Sequence, residues 1–176
     1  MKWPNDLYVD LGEGEGAGLK KIGGILVNSF YAGGDFTVII GCGINTTNST
    51  PTTSLLDLIR SHNARTGSSL APITQEHLLS LILPRFEHFW SRFSSSETGD
   101  FSGFADLYTK RWLHTDKVVT IQETGQRVKI VGLHPENGNL RTVSLEENAG
   151  HMGQFIDLQP DGNSFDMMQG LLKAKK

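Results

Sequence analysis

The 176 residues contain a single cysteine, Cys42, so an intrachain disulfide is excluded and no zinc site can be built from several thiolates. Such sparse thiol chemistry fits a reducing, cytoplasmic setting. No apolar run approaches the roughly 18 residues that a membrane span requires, and the amino terminus is polar, unlike a secretory signal. Excess positive charge is also lacking. A net charge of −3 and an isoelectric point near 6.0 give no electrostatic basis for binding nucleic acid or an anionic membrane. An anionic ligand would have to be held by local groups.

Several enzyme signatures are missing as well. There is no Walker lysine motif and no nucleophile elbow around a serine, and none of the six histidines forms a metal pair at helical spacing. No metal-ligating residue is assigned. Gly12-Glu13-Gly14-Glu15-Gly16-Ala17 has the glycines of a dinucleotide loop, but its glutamates would repel a pyrophosphate and no helix follows.

What is present is ordinary globular material: 38% hydrophobic and 20% charged residues, enough for one domain with a core or one and a half small ones. Residues 7–10, 22–30 and 36–40 read as three antiparallel strands. Glycine and glutamate at 11–18 predict a solvated hairpin loop, and Gly33-Gly34 lies in a turn. Thr53 or Ser54 caps a short helix over 55–62. Thr74 caps a longer one that carries Leu78, Leu81, Ile82, Phe86, Phe89, Trp90 and Phe93 as a core stripe, with Pro84 expected to kink or split it. A further helix is predicted from 104 to about 113. From Lys117 the texture changes to four short alternating stretches, 118–122, 127–132, 140–145 and 154–158, at the spacing of a small SH3-type β-barrel, with a short helix over 164–172. The fold class is α+β, followed by β.

Three segments carry candidate chemistry. Lys2-Trp3-Pro4-Asn5-Asp6 brings a cation, a flat apolar wall and an amide onto one short stretch, suited to a small carboxylate-bearing ligand. The ordinary alternative has Trp3 filling a core, Pro4 fixing the backbone and Asn5-Asp6 making a turn, and composition does not choose between them. In Lys20-Lys21-Ile22-Gly23-Gly24-Ile25, adjacent glycines inside a strand mark either a bulge or close approach of a ligand, and the preceding lysine favours the ligand. Gly41-Cys42-Gly43-Ile44-Asn45 ends in an amide that suits a nucleobase edge, though a glycine turn leaving a strand would look the same.

In this order and at these intervals, the three segments resemble those of biotin protein ligase (holocarboxylase synthetase). Arg111-Trp112-Leu113-His114 and Leu158-Gln159-Pro160-Asp161-Gly162-Asn163-Ser164-Phe165-Asp166 look like its eukaryotic, particularly fungal, form. The resemblance covers essentially the whole chain. It implies a catalytic domain akin to class II aminoacyl-tRNA synthetases over residues 1–113 and an SH3-like domain over 114–176. The implied chemistry joins biotin and ATP, with Mg2+, into biotinyl-5'-AMP, then transfers biotin to a lysine on the biotin carboxyl carrier domain of an acceptor carboxylase.

By the same resemblance, Lys2 lies beside the biotin carboxyl and the adenylate phosphate, and Lys21 is a second phosphate-side cation. Trp3 walls the nucleotide, Asn5 and Asp6 arrange the site for magnesium or the acceptor lysine, Gly23, Gly24 and Ile25 make room for biotin, and Gly43 and Asn45 meet the nucleotide, with Asn45 reading adenine. One departure stands out. The family's glycine- and arginine-rich loop lies upstream of Lys-Trp-Pro-Asn-Asp, and nothing like it occurs in these residues. A chain that opens on its densest motif therefore reads as a carboxy-terminal fragment, inactive or weak by itself, with cut edges that favour self-association. The alternative is a non-catalytic binding module for the carrier domain or nucleotide.

Overall fold

The computed structural model describes residues 1–12, 18–95, 101–121, 124–145, 153–159, 163–166 and 171–174. The chain divides into two compact units, Asn5–Ser95 and a second in which Met1–Pro4 joins Ser96–Lys176.

In the first unit, β1 (Asp6–Asp10), β2 (Leu19–Ala32) and β3 (Asp35–Ile44) form the expected antiparallel sheet in the order β1-β2-β3. Strand β2 outruns the 22–30 prediction because its pairing with β3 persists to Ala32 and Asp35. Between these two, Gly33 and Gly34 take φ of 64° and 95°, the left-handed geometry of a tight hairpin turn whose twist matches its strands. The loop expected at 11–18 lies mostly outside the described residues. Near the other end of β2, Leu7 faces Gly23 and Tyr8 faces Lys21, so Ile22 is an extra, bulged residue, and it is buried.

Helix α1 (Leu55–Thr66) starts from Ser54, whose hydroxyl accepts from the Asp57 amide at 3.2 Å while the Asp57 carboxylate accepts from the Ser54 amide at 3.1 Å. Helix α2 (Gln75–Ser94) starts from Thr74, which accepts from the His77 amide at 3.2 Å, and continues through Pro84 without splitting. Its apolar stripe is not the core that the spacing predicts, since no residue of α2 is buried. Phe86 and Trp90 stack on each other at 6.1 Å, and Trp90 meets Phe93 at 5.8 Å. Helical periodicity shows that a face is apolar; it does not supply the surface that covers it.

The second unit opens with α3 (Ser102–Thr109), which ends before the predicted 113. The chain leaves the helix so that Trp112 can be buried and the Leu113 amide can donate to the Met1 carbonyl at 2.9 Å. The four predicted strands are present as β4 (Val118–Ile121), β5 (Arg127–Leu133), β6 (Leu140–Ser144) and β7 (Phe155–Leu158), and they form an antiparallel meander where the sequence predicts a small SH3-type barrel. The helix predicted over 164–172 is instead strand β8 (Asn163–Asp166) and strand β9 (Leu171–Ala174). Leu171 and Leu172 pair in parallel with Thr120 and Ile121, because the outer edge of β4 offers unsatisfied backbone groups that local helix propensity does not anticipate. The order is β7-β6-β5-β4-β9-β8, an open sheet, and no pair joins β7 to β8 among the described residues to close a barrel.

Trp3, Trp112, Val119, Val128, Ile130, Leu140 and Leu158 build the core of this unit. The Trp3 indole donates to the Gly138 carbonyl at 3.1 Å, and the hydroxyl of Tyr108, packed against this core, donates to the Pro4 carbonyl at 3.1 Å, its phenol pushed up to about 12 by burial. His114, fully buried, accepts the Trp3 amide hydrogen on Nε2 at 2.8 Å. Burial first, then the positive charges of Lys117, Lys2 and the amino terminus, lower its pKa from 6.5 to about 4.

Two outcomes follow for stability. Trp3→Ala should destabilise the second unit by about 3–5 kcal/mol in urea unfolding, the range for emptying a large aromatic site; a ring serving only as a ligand wall would leave the midpoint unchanged. His114 binds its proton more weakly folded than unfolded, so its contribution is complete above pH 6.5 and lost as pH falls toward 4. For this group the loss is on the order of 3 kcal/mol. Urea midpoints at pH 7 and pH 5 should therefore separate in the wild type and converge in His114→Gln; equal separation in both would refute the assignment.

Candidate functional site

The first unit carries a cleft where β1, β2 and β3 meet. The Ile25 amide donates to the Asn5 carbonyl at 2.9 Å, which carries the β1–β2 pairing one residue beyond Asp6 and Gly24. Beside it the Lys21 ammonium lies 2.6 Å from Asp6 Oδ1, with side chains 45% and 29% exposed. A pair this wet contributes at most about 1 kcal/mol, so stability does not account for these residue types. Burial, and then the Asp6 carboxylate, raise the pKa of the neighbouring Tyr8 phenol.

The two adjacent glycines have different causes. A Cβ on Gly23 would collide with the Gly43 carbonyl oxygen, so close approach of β3 requires that glycine. A Cβ on Gly24 would instead stand 3.2 Å from Asp6 Oδ1 and 3.8 Å from Lys21 Cε. Glycine there leaves the ion pair open to a shallow cleft of about 560 Å³, lined by Asn5, Asp6, Gly24, Ile25, Leu26, Gly41, Cys42 and Gly43. That volume lies within the span of small-molecule sites. The bulge weighed for this segment falls on Ile22, while Gly23 admits β3 and Gly24 lines the cleft.

Asn45 is largely committed to its own loop. Its amide donates to Thr52 Oγ1 at 3.0 Å and the Thr53 carbonyl at 3.1 Å, and its Oδ1 accepts from Asn48 at 3.2 Å. With both donors used, one lone pair on Oδ1 remains for an incoming group.

Lys2 and Trp3 belong to the second unit. Trp3 is 4% exposed and sits in the core, which is the ordinary alternative considered for this segment; its ring faces are covered by protein. Lys2 is half-buried. The structure therefore gathers Asn5, Asp6, Lys21, Gly24, Ile25 and Gly43 around one cleft within the first unit. Sequence reasoning missed Leu26, Gly41 and Cys42 as lining residues, although the register that pairs Leu26 with Gly41 and Ile25 with Cys42 was implicit in the hairpin. It also missed any role for His114.

Among the described residues, no three His, Cys, Asp or Glu side chains gather into a metal site. Asp6, the carboxylate of the cleft lining, is engaged by Lys21, so these residues do not fit a magnesium ion held by protein ligands. No helix among them is long and apolar enough to cross a membrane.

Residues 1–45 match the biotin/lipoate A/B protein ligase family, a span that includes all three opening motifs. Over 177 residues the chain is 34% identical to the biotin--protein ligase of Homo sapiens, covering all of this chain and 22% of that protein. It is 34% identical over 180 residues to the biotin--protein ligase of Schizosaccharomyces pombe, covering 99% of this chain and 28% of the relative. It is 35% identical over 181 residues to biotin--protein ligase 2 of Arabidopsis thaliana, covering 99% of this chain and 48% of the relative. The chain thus spans less than half the length of these relatives. No solved structure matches. Similarity to biotin--protein ligases thus runs the whole length of the chain, and the family match falls on the segments that build the cleft.

Proposed function

We propose that this chain carries part of the ligand site of a biotin protein ligase, which activates biotin with ATP and transfers it to a lysine of a biotin carboxyl carrier domain. The observation that carries this reading is the Asp6–Lys21 pair beside side-chain-free Gly24, opening on a cleft within the family-matched segment. In the first step a biotin carboxylate oxygen attacks the α-phosphorus of ATP and pyrophosphate leaves. In the second, the acceptor lysine amine attacks the acyl carbon of biotinyl-5'-AMP, an amide bond forms and AMP leaves. Both steps bring anions together or develop negative charge on phosphate oxygens, and preset cations and fixed geometry lower their barriers.

In this assignment Lys21 meets the phosphate, and Lys2 serves as a second cation there. Asp6 orients Lys21 in the resting site; once Lys21 turns to the phosphate, Asp6 can accept the proton released by the acceptor amine. Asn5, Gly24 and Ile25 form the biotin side of the cleft, and Gly43 borders the nucleotide. The remaining Oδ1 lone pair of Asn45 accepts from the adenine amino group. Gly23 serves the sheet, and Trp3 serves by anchoring Lys2. Residues 1–113 correspond to the class II synthetase-like catalytic domain and 114–176 to an SH3-like domain opened into a sheet. The setting is cytoplasmic.

The cleft is shallow, so the chain alone should bind a non-hydrolysable biotinyl-adenylate analogue weakly, with a dissociation constant on the order of 10 μM, about 7 kcal/mol. Calorimetry should show Lys21→Ala weakening binding about ten-fold. No heat at millimolar analogue, or equal affinity for both proteins, would contradict the site.

A further inference from the structure

His114 lies outside the motifs that suggest chemistry, yet it is fully buried and joined to the candidate catalytic segment across 111 residues of sequence. The peptide units on either side of the Lys2 α-carbon are each tied down by the stretch that follows α3. On one side, the carbonyl of the Met1–Lys2 unit accepts from the Leu113 amide at 2.9 Å. On the other, the N–H of the Lys2–Trp3 unit donates to His114 Nε2 at 2.8 Å. A peptide unit is planar and rigid, so holding one atom of each plane beside the same α-carbon restricts the two backbone torsions between them. Those torsions set the direction in which the Lys2 side chain leaves the backbone.

We propose that His114 is a positioning residue for Lys2, acting through the Trp3 amide. The inference rests on the reading of Lys2 as a phosphate-side cation. An acceptor at this point must be neutral, with its proton on Nδ1, because a doubly protonated ring has no lone pair to offer. Burial at this site, together with the surrounding positive charges, keeps the imidazole neutral at physiological pH. Trp112 meets the ring edge-on at 5.4 Å and 89°, which fixes the direction of Nε2. The Trp3 ring, anchored by its indole bond to Gly138, holds the far side of the same peptide unit. The long-range bond thus makes the geometry of a cation near the amino terminus depend on a residue two-thirds of the way along the chain.

The test uses the intact chain, the biotinyl-adenylate analogue and amide exchange observed by NMR. His114→Leu should bind the analogue about ten-fold more weakly, speed exchange of the Trp3 amide, and leave Lys2→Ala with no further loss when the two are combined. His114→Gln, whose side-chain oxygen can replace Nε2 as the acceptor, should restore affinity to within about three-fold and restore Trp3 protection. A folded His114→Leu with undiminished affinity, or losses that multiply in the double variant, would overturn the inference. Should His114→Leu fail to fold, His114→Gln decides: Trp3 protected and affinity retained supports the role, while Trp3 protected and affinity lost overturns it. Lys2→Ala without effect would sink the assignment of Lys2 itself, whereas a Lys2→Ala loss beside an unaffected His114→Leu would sink only this step.

Discussion

The bond between the Trp3 amide and His114, with the Trp3 ring buried behind it, ties the first residues of the chain to a sheet built from its last third. Contacts this far apart in sequence carry a large loop-closure cost and form only when both ends are in place. The gain that offsets the cost is burial of a large aromatic surface with its indole N–H satisfied by the Gly138 carbonyl. Helix α3 stops early, Trp112 turns inward and Leu113 pairs with Met1, all in service of the same closure. Lys2 acquires a fixed backbone because its neighbour is a core residue.

The other unit arranges its chemistry by a different device, the removal of side chains. Without a Cβ at Gly23, β3 can draw up to β2, and without one at Gly24, Asp6 and Lys21 face an open cleft. The bulge at Ile22 buries that side chain while leaving Lys21 exposed beside it. An exposed carboxylate–ammonium pair has little stabilising value, but it keeps a cation in place until a stronger anion arrives. Under the function proposed above, in which a triphosphate and a carboxylate would meet and pyrophosphate would leave, cations that can exchange partners are an advantage.

Whatever local rules govern was readable from the residues. Ser54 and Thr74 cap their helices because hydroxyls satisfy free amides, Gly33-Gly34 closes a hairpin because two left-handed residues are needed there, and the alternation from Val118 to Leu158 becomes a meander. What was missed depends on distant partners. Periodicity in α2 could not show that Phe86, Phe89 and Trp90 stay exposed, and helical spacing near Ser164 could not anticipate that the β4 edge recruits Leu171 and Leu172. Around the cleft, residue types and intervals singled out Asp6, Lys21 and Gly24, which the structure brings together, whereas the burial of Trp3 and the engagement of the Asn45 amide depend on partners that no local pattern announces. The amide of Asn45 looked available in the sequence because its partners, Thr52 and Thr53, lie in a loop with no periodic signal.

The claim most exposed to refutation is that the three opening motifs serve one small ligand. An amide-resolved NMR titration of the chain with the biotinyl-adenylate analogue addresses it directly. Shifts should gather at Asn5, Gly24, Ile25 and Gly43 and appear together, with one dissociation constant, at Lys2. Shifts confined to the second sheet, or different constants for Lys2 and Gly24, would contradict it.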